Sequence, residues 1–113
     1  MVRTRVKICG ITNYDDAMVA CDAGVDSLGF NFAPEAKKRN RYIAPEEAYA
    51  IIEKLPPFVT TVAVCVNAPL ALMEEYLEFV HTVHLHGEES VEDTAVLGNR
   101  SINLVLLMPD VIL

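Results

Sequence analysis

A thiol, two side-chain amides, an imidazole and a cluster of cations fall where short apolar runs give way to polar turns. Cys9 closes "RVKIC" just before Gly10, Asn31 lies in "DSLGFNF", Asn67 follows "FVTTVAVCV", and His86 ends "TVHLH" ahead of Gly87. Between the second and third of these, "KKRNR" at Lys37 to Arg41 concentrates positive charge. A thiolate is a base or a nucleophile, and an unperturbed thiol with a pKa of about 8.5 is partly ionised near neutrality. A guanidinium fork grips a planar carboxylate through two hydrogen bonds, which a lysine cannot imitate. Each reading has a plainer counterpart. Cys9 could be inert packing in an apolar strand, "KKRNR" could be a solvated basic turn, and His86 could be satisfied by backbone.

The elements that must hold these groups alternate between strand and helix. "VRTRVKIC" reads as a strand, followed by a helix that Asn13 caps, with Asp15 and Asp16 in its first turn and Gly24 as its stop. Ala17, Ala20 and Cys21 form its inner face, so Cys21 reads as core. "DSLGFNF" is a second strand, and "APEAKKRNRYIA" reads as a charged loop. Pro45 starts the next helix, whose buried stripe is Ala48, Ile51, Ile52 and Leu55. "FVTTVAVCV", Phe58 to Val66, is a third, nearly continuous apolar strand of the kind covered on both faces. Asn67 is expected to cap a third helix with Leu70, Met73, Leu77 and Val80 on one face. "TVHLH" is a fourth strand, Ser90 and Asp93 suggest a capped short helix, and Ile102 to Met108 reads as a fifth strand that Pro109 interrupts.

Strand, helix, strand, helix at this rhythm predicts a parallel α/β sheet with right-handed crossovers. Two architectures fit: about four and a half units of a (βα)8 TIM barrel, which normally needs ~250 residues, or a rearranged open flavodoxin-like sheet. In both, functional side chains gather at the C-terminal ends of the strands, where Cys9, Asn31, Asn67 and His86 fall. Lys7 is read as facing away from Cys9 and so as no activator of it.

With 113 residues and 52% apolar content, the chain reads as one partial barrel domain over 1–113. A net charge of −7 argues against nucleic acid as a partner. No apolar run approaches the ~18 residues of a membrane span, and no signal peptide is evident. Three cysteines without metal-like spacing imply no metal site and reduced thiols, as in a cytoplasm.

"VKICGIT", "LGFNFAP", "RYIAPEEA", "LPPFVTTVAVCVNAP" and "VHLHGEES", in order and in register over residues 6–90, resemble phosphoribosylanthranilate isomerase. The resemblance implies the (βα)8 barrel and an Amadori rearrangement of N-(5′-phosphoribosyl)anthranilate in tryptophan biosynthesis, without cofactor or metal. An acid opens the ribose ring to a Schiff base, and a base then removes the C2′ proton. It implies Cys9 as the general base. It implies Arg41 on the anthranilate carboxylate, with Arg39 a competing assignment, and His86 in the substrate site; Asn31 is grouped with them. His84 stands where the family usually has glutamine.

Residues 91–113 read as a divergent tail. The family's general acid ends a run like "LLLD"; the similar run here, "LVLLMPD", has Met108 in that place, and Asp110 is a poor substitute. The acid and the phosphate site are therefore expected to lie outside this chain. The expectation is an inactive or complementation-dependent half-barrel, or a non-catalytic binding module. Unpaired sheet edges would favour self-association or complementation by a second half-barrel.

Overall fold

Each strand hands over to a helix whose start is set by a few local residues. The computed structural model describes residues 3–103. Strand β1 spans Lys7–Cys9 and is followed by α1, Tyr14–Asp22. The Asn13 side chain accepts from the Asp16 N–H, which satisfies one of the free donors of the first turn, and Gly24 at φ +93° ends the helix. β2, Ser27–Asn31, leads into a 3-10 helix at Pro34–Arg39 and then α2, Pro45–Ile52, with Pro45 in its first turn. β3, Thr60–Cys65, is followed by α3, Leu70–Tyr76. β4, Thr82–Leu85, precedes α4, Val91–Leu97, where the Ser90 hydroxyl accepts from the Asp93 N–H. A 3-10 turn, Gly98–Arg100, then delivers β5, Ser101–Asn103.

The five strands are all parallel and lie in chain order, β1-β2-β3-β4-β5. A flavodoxin-like sheet would reverse its strand order at a switch point and carry helices on both faces. Here the register places Leu28 and Phe30, Ala63 and Cys65, and Val83 and Leu85 on one face. All four helices contribute to the core on that face, through Ala17, Ala48, Ile51, Met73, Tyr76 and Leu97. One-sided helices and consecutive strands are the winding of a (βα) barrel, so the open flavodoxin-like alternative is corrected. The reason is physical: each apolar helix stripe finds its sheet partner on the same side, leaving the other face for shorter and polar side chains.

Three local expectations also change. The segment read as a charged loop contains the 3-10 helix, closed by Asn40 at φ 54°. Phe58 lies outside β3 with 97% of its surface exposed. Asn67 is not the α3 cap: Pro69 is, and Asn67 stands at φ 51° with its side chain used elsewhere. Met108, Asp110 and most of the expected fifth strand lie outside the described residues.

β1 forms one edge of the described sheet. Near it Val6, Ile8 and Val19 keep 45%, 41% and 69% of their surface exposed, an apolar margin suited to further pairing.

Candidate active site

Alternation along the strands, combined with their register, builds the second face. Cys9 pairs with Gly29, and Gly29 with Val62; Asn31 pairs with Val64, and Val64 with His84. Residues two apart in a strand share a face, so Lys7 lies on this inner face together with Cys9. The expectation that they point apart misapplied the period of two and is corrected. Lys7 reaches across the sheet to place its Nζ 2.9 Å from His84 Nδ1.

At the C-terminal ends of the strands, Cys9, Gly10, Asn31, Arg39, Arg41 and His86 line one cavity of about 300 Å³. The structure thus brings together Cys9, Asn31, Arg41 and His86 with the competing Arg39, whereas Asn67, Lys7 and His84 are not among the lining residues. Both arginines arrive by the same device. The left-handed Asn40 turns the chain between them, and the Arg41 N–H donates to the Ala36 carbonyl at 3.1 Å. The next residues dock beside β2: Tyr42 bridges to Asn31, and the Ile43 N–H donates to the Asn31 carbonyl. Lys37 is not at the cavity; its ammonium sits 4.8 Å from the centre of the Tyr42 ring.

Two glycines make the room. Gly10 is at φ +84°, and a Cβ there would come within 2.8 Å of Arg41 Cδ, so the arginine lies directly over the glycine backbone. A Cβ on Gly29 would meet Cys9 Sγ at 3.0 Å, so the bare strand position beside Cys9 is where its sulfur rests. In the sequence Gly10 stands out only as the residue after Cys9, and neither glycine is assigned this role there. The dipeptide "CG" and the "LGF" inside a strand pattern were the available signals.

Asn31 is buried, and its side-chain oxygen accepts from the Ala33 N–H at 3.0 Å. That bond shapes the turn after β2 and leaves the amide nitrogen as the part it can offer a ligand. Asn67 instead ties two loops at this end. Its Oδ1 accepts from the Glu88 N–H at 2.7 Å, while Glu89 accepts from the N–H groups of Asn67 and Gly87.

The electrostatics favour anions and neutral imidazoles. Burial, then the Lys7 charge and His86, pushes His84 down to about 4. His86 is also lowered, chiefly by burial and then by Lys7 and Arg39, against the opposing pull of Glu89. The other two thiols are unsuited to chemistry. Burial pushes Cys65 up to about 12, and burial followed by the Asp22 charge raises Cys21. Among the described residues no group of three or more His, Cys, Asp or Glu could hold a metal ion, and no helix is long and apolar enough to cross a membrane.

The family model described as N-(5′-phosphoribosyl)anthranilate (PRA) isomerase matches residues 6–109. The isomerase of Pelobacter propionicus is 46% identical over 100 residues, which is 87% of this chain and 46% of the relative. The chain therefore spans about half the length of the curated relatives it matches. The crystal structure of the Thermus thermophilus phosphoribosylanthranilate isomerase aligns with a TM-score of 0.83 at 40% identity, over 92% of this chain and 52% of that one. A second isomerase structure, in complex with reduced 1-(o-carboxyphenylamino)-1-deoxyribulose 5-phosphate, aligns with a TM-score of 0.81 at 41% identity, over 89% and 52% of the two chains.

Proposed function

This chain belongs to the N-(5′-phosphoribosyl)anthranilate isomerase family, and from that premise we propose that its cavity is the proton-abstracting and carboxylate-binding part of such an isomerase site. The observation that carries the reading is the meeting of Cys9, Asn31, Arg39, Arg41 and His86 at one strand-end cavity. In this reading Cys9 is the general base that takes the C2′ proton of the ring-opened Schiff base. Abstraction generates an enolamine, which becomes the aminoketose. Arg41, held flat over Gly10, accepts the anthranilate carboxylate in its fork, and Arg39 adds a second positive group beside it. Asn31 offers amide donors at the floor of the same cavity.

Fixing the carboxylate is the means of catalysis available to these residues. It turns abstraction into a step within one complex, with the reacting carbon held near the sulfur. The acid that opens the ribose ring and the residues that grip the phosphate belong, on this reading, to the other half of the family's barrel, which a complementary chain would supply. Residues 3–103 then contribute the base half of the site and the tryptophan-pathway role of the family.

The experiment is the isomerase assay by loss of substrate fluorescence, with the chain alone and mixed with the complementary half of a relative's barrel. Turnover in the mixture that disappears with Cys9→Ala, while anthranilate titration heat persists, is the expected outcome. Equal turnover with Cys9→Ala removes Cys9 as the base. Loss of that heat in Arg41→Ala but not Arg39→Ala assigns the carboxylate to Arg41.

A further inference from the structure

Three inner-face side chains meet at a single nitrogen. Lys7 Nζ lies 2.9 Å from His84 Nδ1, and His86 Nε2 lies 3.1 Å from the same atom. The two imidazoles stand edge to face, with centroids 4.2 Å apart and an interplanar angle of 84°. Counting protons decides who donates. An ammonium has three N–H donors and no acceptor, so His84 Nδ1 accepts from Lys7 and carries no proton. That atom has one lone pair, which Lys7 takes, so the second contact is at most a three-centre one. A bare His86 Nε2 would set two lone pairs against each other at 3.1 Å, whereas an Nε2–H there is attracted. A neutral imidazole has one N–H, so His86 Nδ1 is then a bare lone pair.

We propose that His84 is a positioning residue for His86: as the shared acceptor of Lys7 and His86 it selects the Nε2–H tautomer of His86 and makes Nδ1 that ring's acceptor. This divides the recognition of a ligand. A carboxylate goes to Arg39 and Arg41, whereas a group that meets His86 Nδ1 must bring its own proton, as a hydroxyl or N–H does. His86 is thereby built to reject a second anion and to accept a donor. The tautomer assignment rests on contacts within the chain, and the division between carboxylate and donor rests on the carboxylate reading proposed above.

The surroundings support the same arrangement. Lys7 on β1, Arg39 on the 3-10 helix and Glu89 after β4 are the charged groups acting on His86, and Lys7 and His86 act on His84. Protonating His84 would place a second cation against Lys7 and remove the acceptor both partners use. A side-chain amide could replace it without titrating, because a glutamine carbonyl oxygen accepts from two donors.

Long-range 1H–15N correlation spectra of the full chain at pH 7 read each ring nitrogen directly. The expected pattern is a protonated Nε2 and a bare Nδ1 on His86, with a bare Nδ1 on His84. His84→Gln should keep the His86 pattern, and His84→Leu should release it into a mixture of tautomers. Lys7→Met should raise the titration midpoint of His84 and let its Nδ1 take up a proton. A protonated Nδ1 on neutral His86, a His84→Leu spectrum with the tautomer unchanged, or an unmoved His84 midpoint in Lys7→Met would each overturn the assignment. Should His84→Leu not fold, the unaltered chain and His84→Gln decide between the same two outcomes.

Discussion

Cys65 ends β3 and Cys9 ends β1, yet the two thiols live on opposite faces of one sheet. Cys65 is 2% exposed among Phe30, Tyr76 and the rest of the helix-side core, where burial pushes its pKa up to about 12. Cys9 is half-buried on the helix-free face and lines a cavity shared with two arginines and a histidine. The residue type is the same; the parity of the strand position is what differs. Alternate residues of a strand thus serve two tasks: one set supplies cohesion against the helices, and the other supplies chemistry at the mouth.

The largest expected effect tests that division directly. Phe30 is fully buried on the helix side, and Phe30→Ala should cost about 3–5 kcal/mol through lost burial and the cavity left behind. Cys9→Ala should cost less than about 1 kcal/mol, because its sulfur faces an open cavity. Urea denaturation of both variants measures the gap. Equal losses would erase the distinction between the faces.

Gly10→Ala probes the mouth with an intermediate effect. The new Cβ would meet Arg41 Cδ at 2.8 Å on a backbone at φ +84°. Strain and displacement should together cost about 1–3 kcal/mol. Anthranilate titration heat should fall as well, because the fork of Arg41 is moved. Full heat with lowered stability would show that Arg41 is not the carboxylate's partner.

The smallest effect is one of pH. The folded chain keeps His84 neutral down to about 4, whereas the unfolded chain takes up that proton below about 6.5. Acid therefore favours unfolding, and stability should decline as pH falls from about 6.5 to about 4. His84 is half-exposed, so solvent screening limits its share to about 1 kcal/mol. Subtracting the same titration of His84→Gln isolates that share, and identical curves would remove it.

Much of this was legible along the chain because the signals are local. Asn13, Pro45 and Ser90 announce helix starts through hydrogen-bonding and φ constraints that act within one turn. The ends of the apolar runs placed Cys9, Asn31 and His86 at the strand mouths, and the quoted motifs named the family. Errors arose where one position could serve two partners. Asn67 has the chemistry of a cap but spends its side chain on the Glu88 N–H of another loop. Lys7 was misplaced by a parity slip that the strand period itself corrects.

By itself, the sequence determined the alternation of strands and helices, the helix-side stripes and the basic run, because each depends on periodicity or on neighbours within a few residues. Only the tertiary structure decided the consecutive strand order, the convergence of Arg39 and Arg41 on Cys9, and the junction of Lys7 with His84 across 77 residues of chain. Those depend on which face each strand turns to its neighbours and how far the register is staggered. Such quantities arise only when distant segments pair.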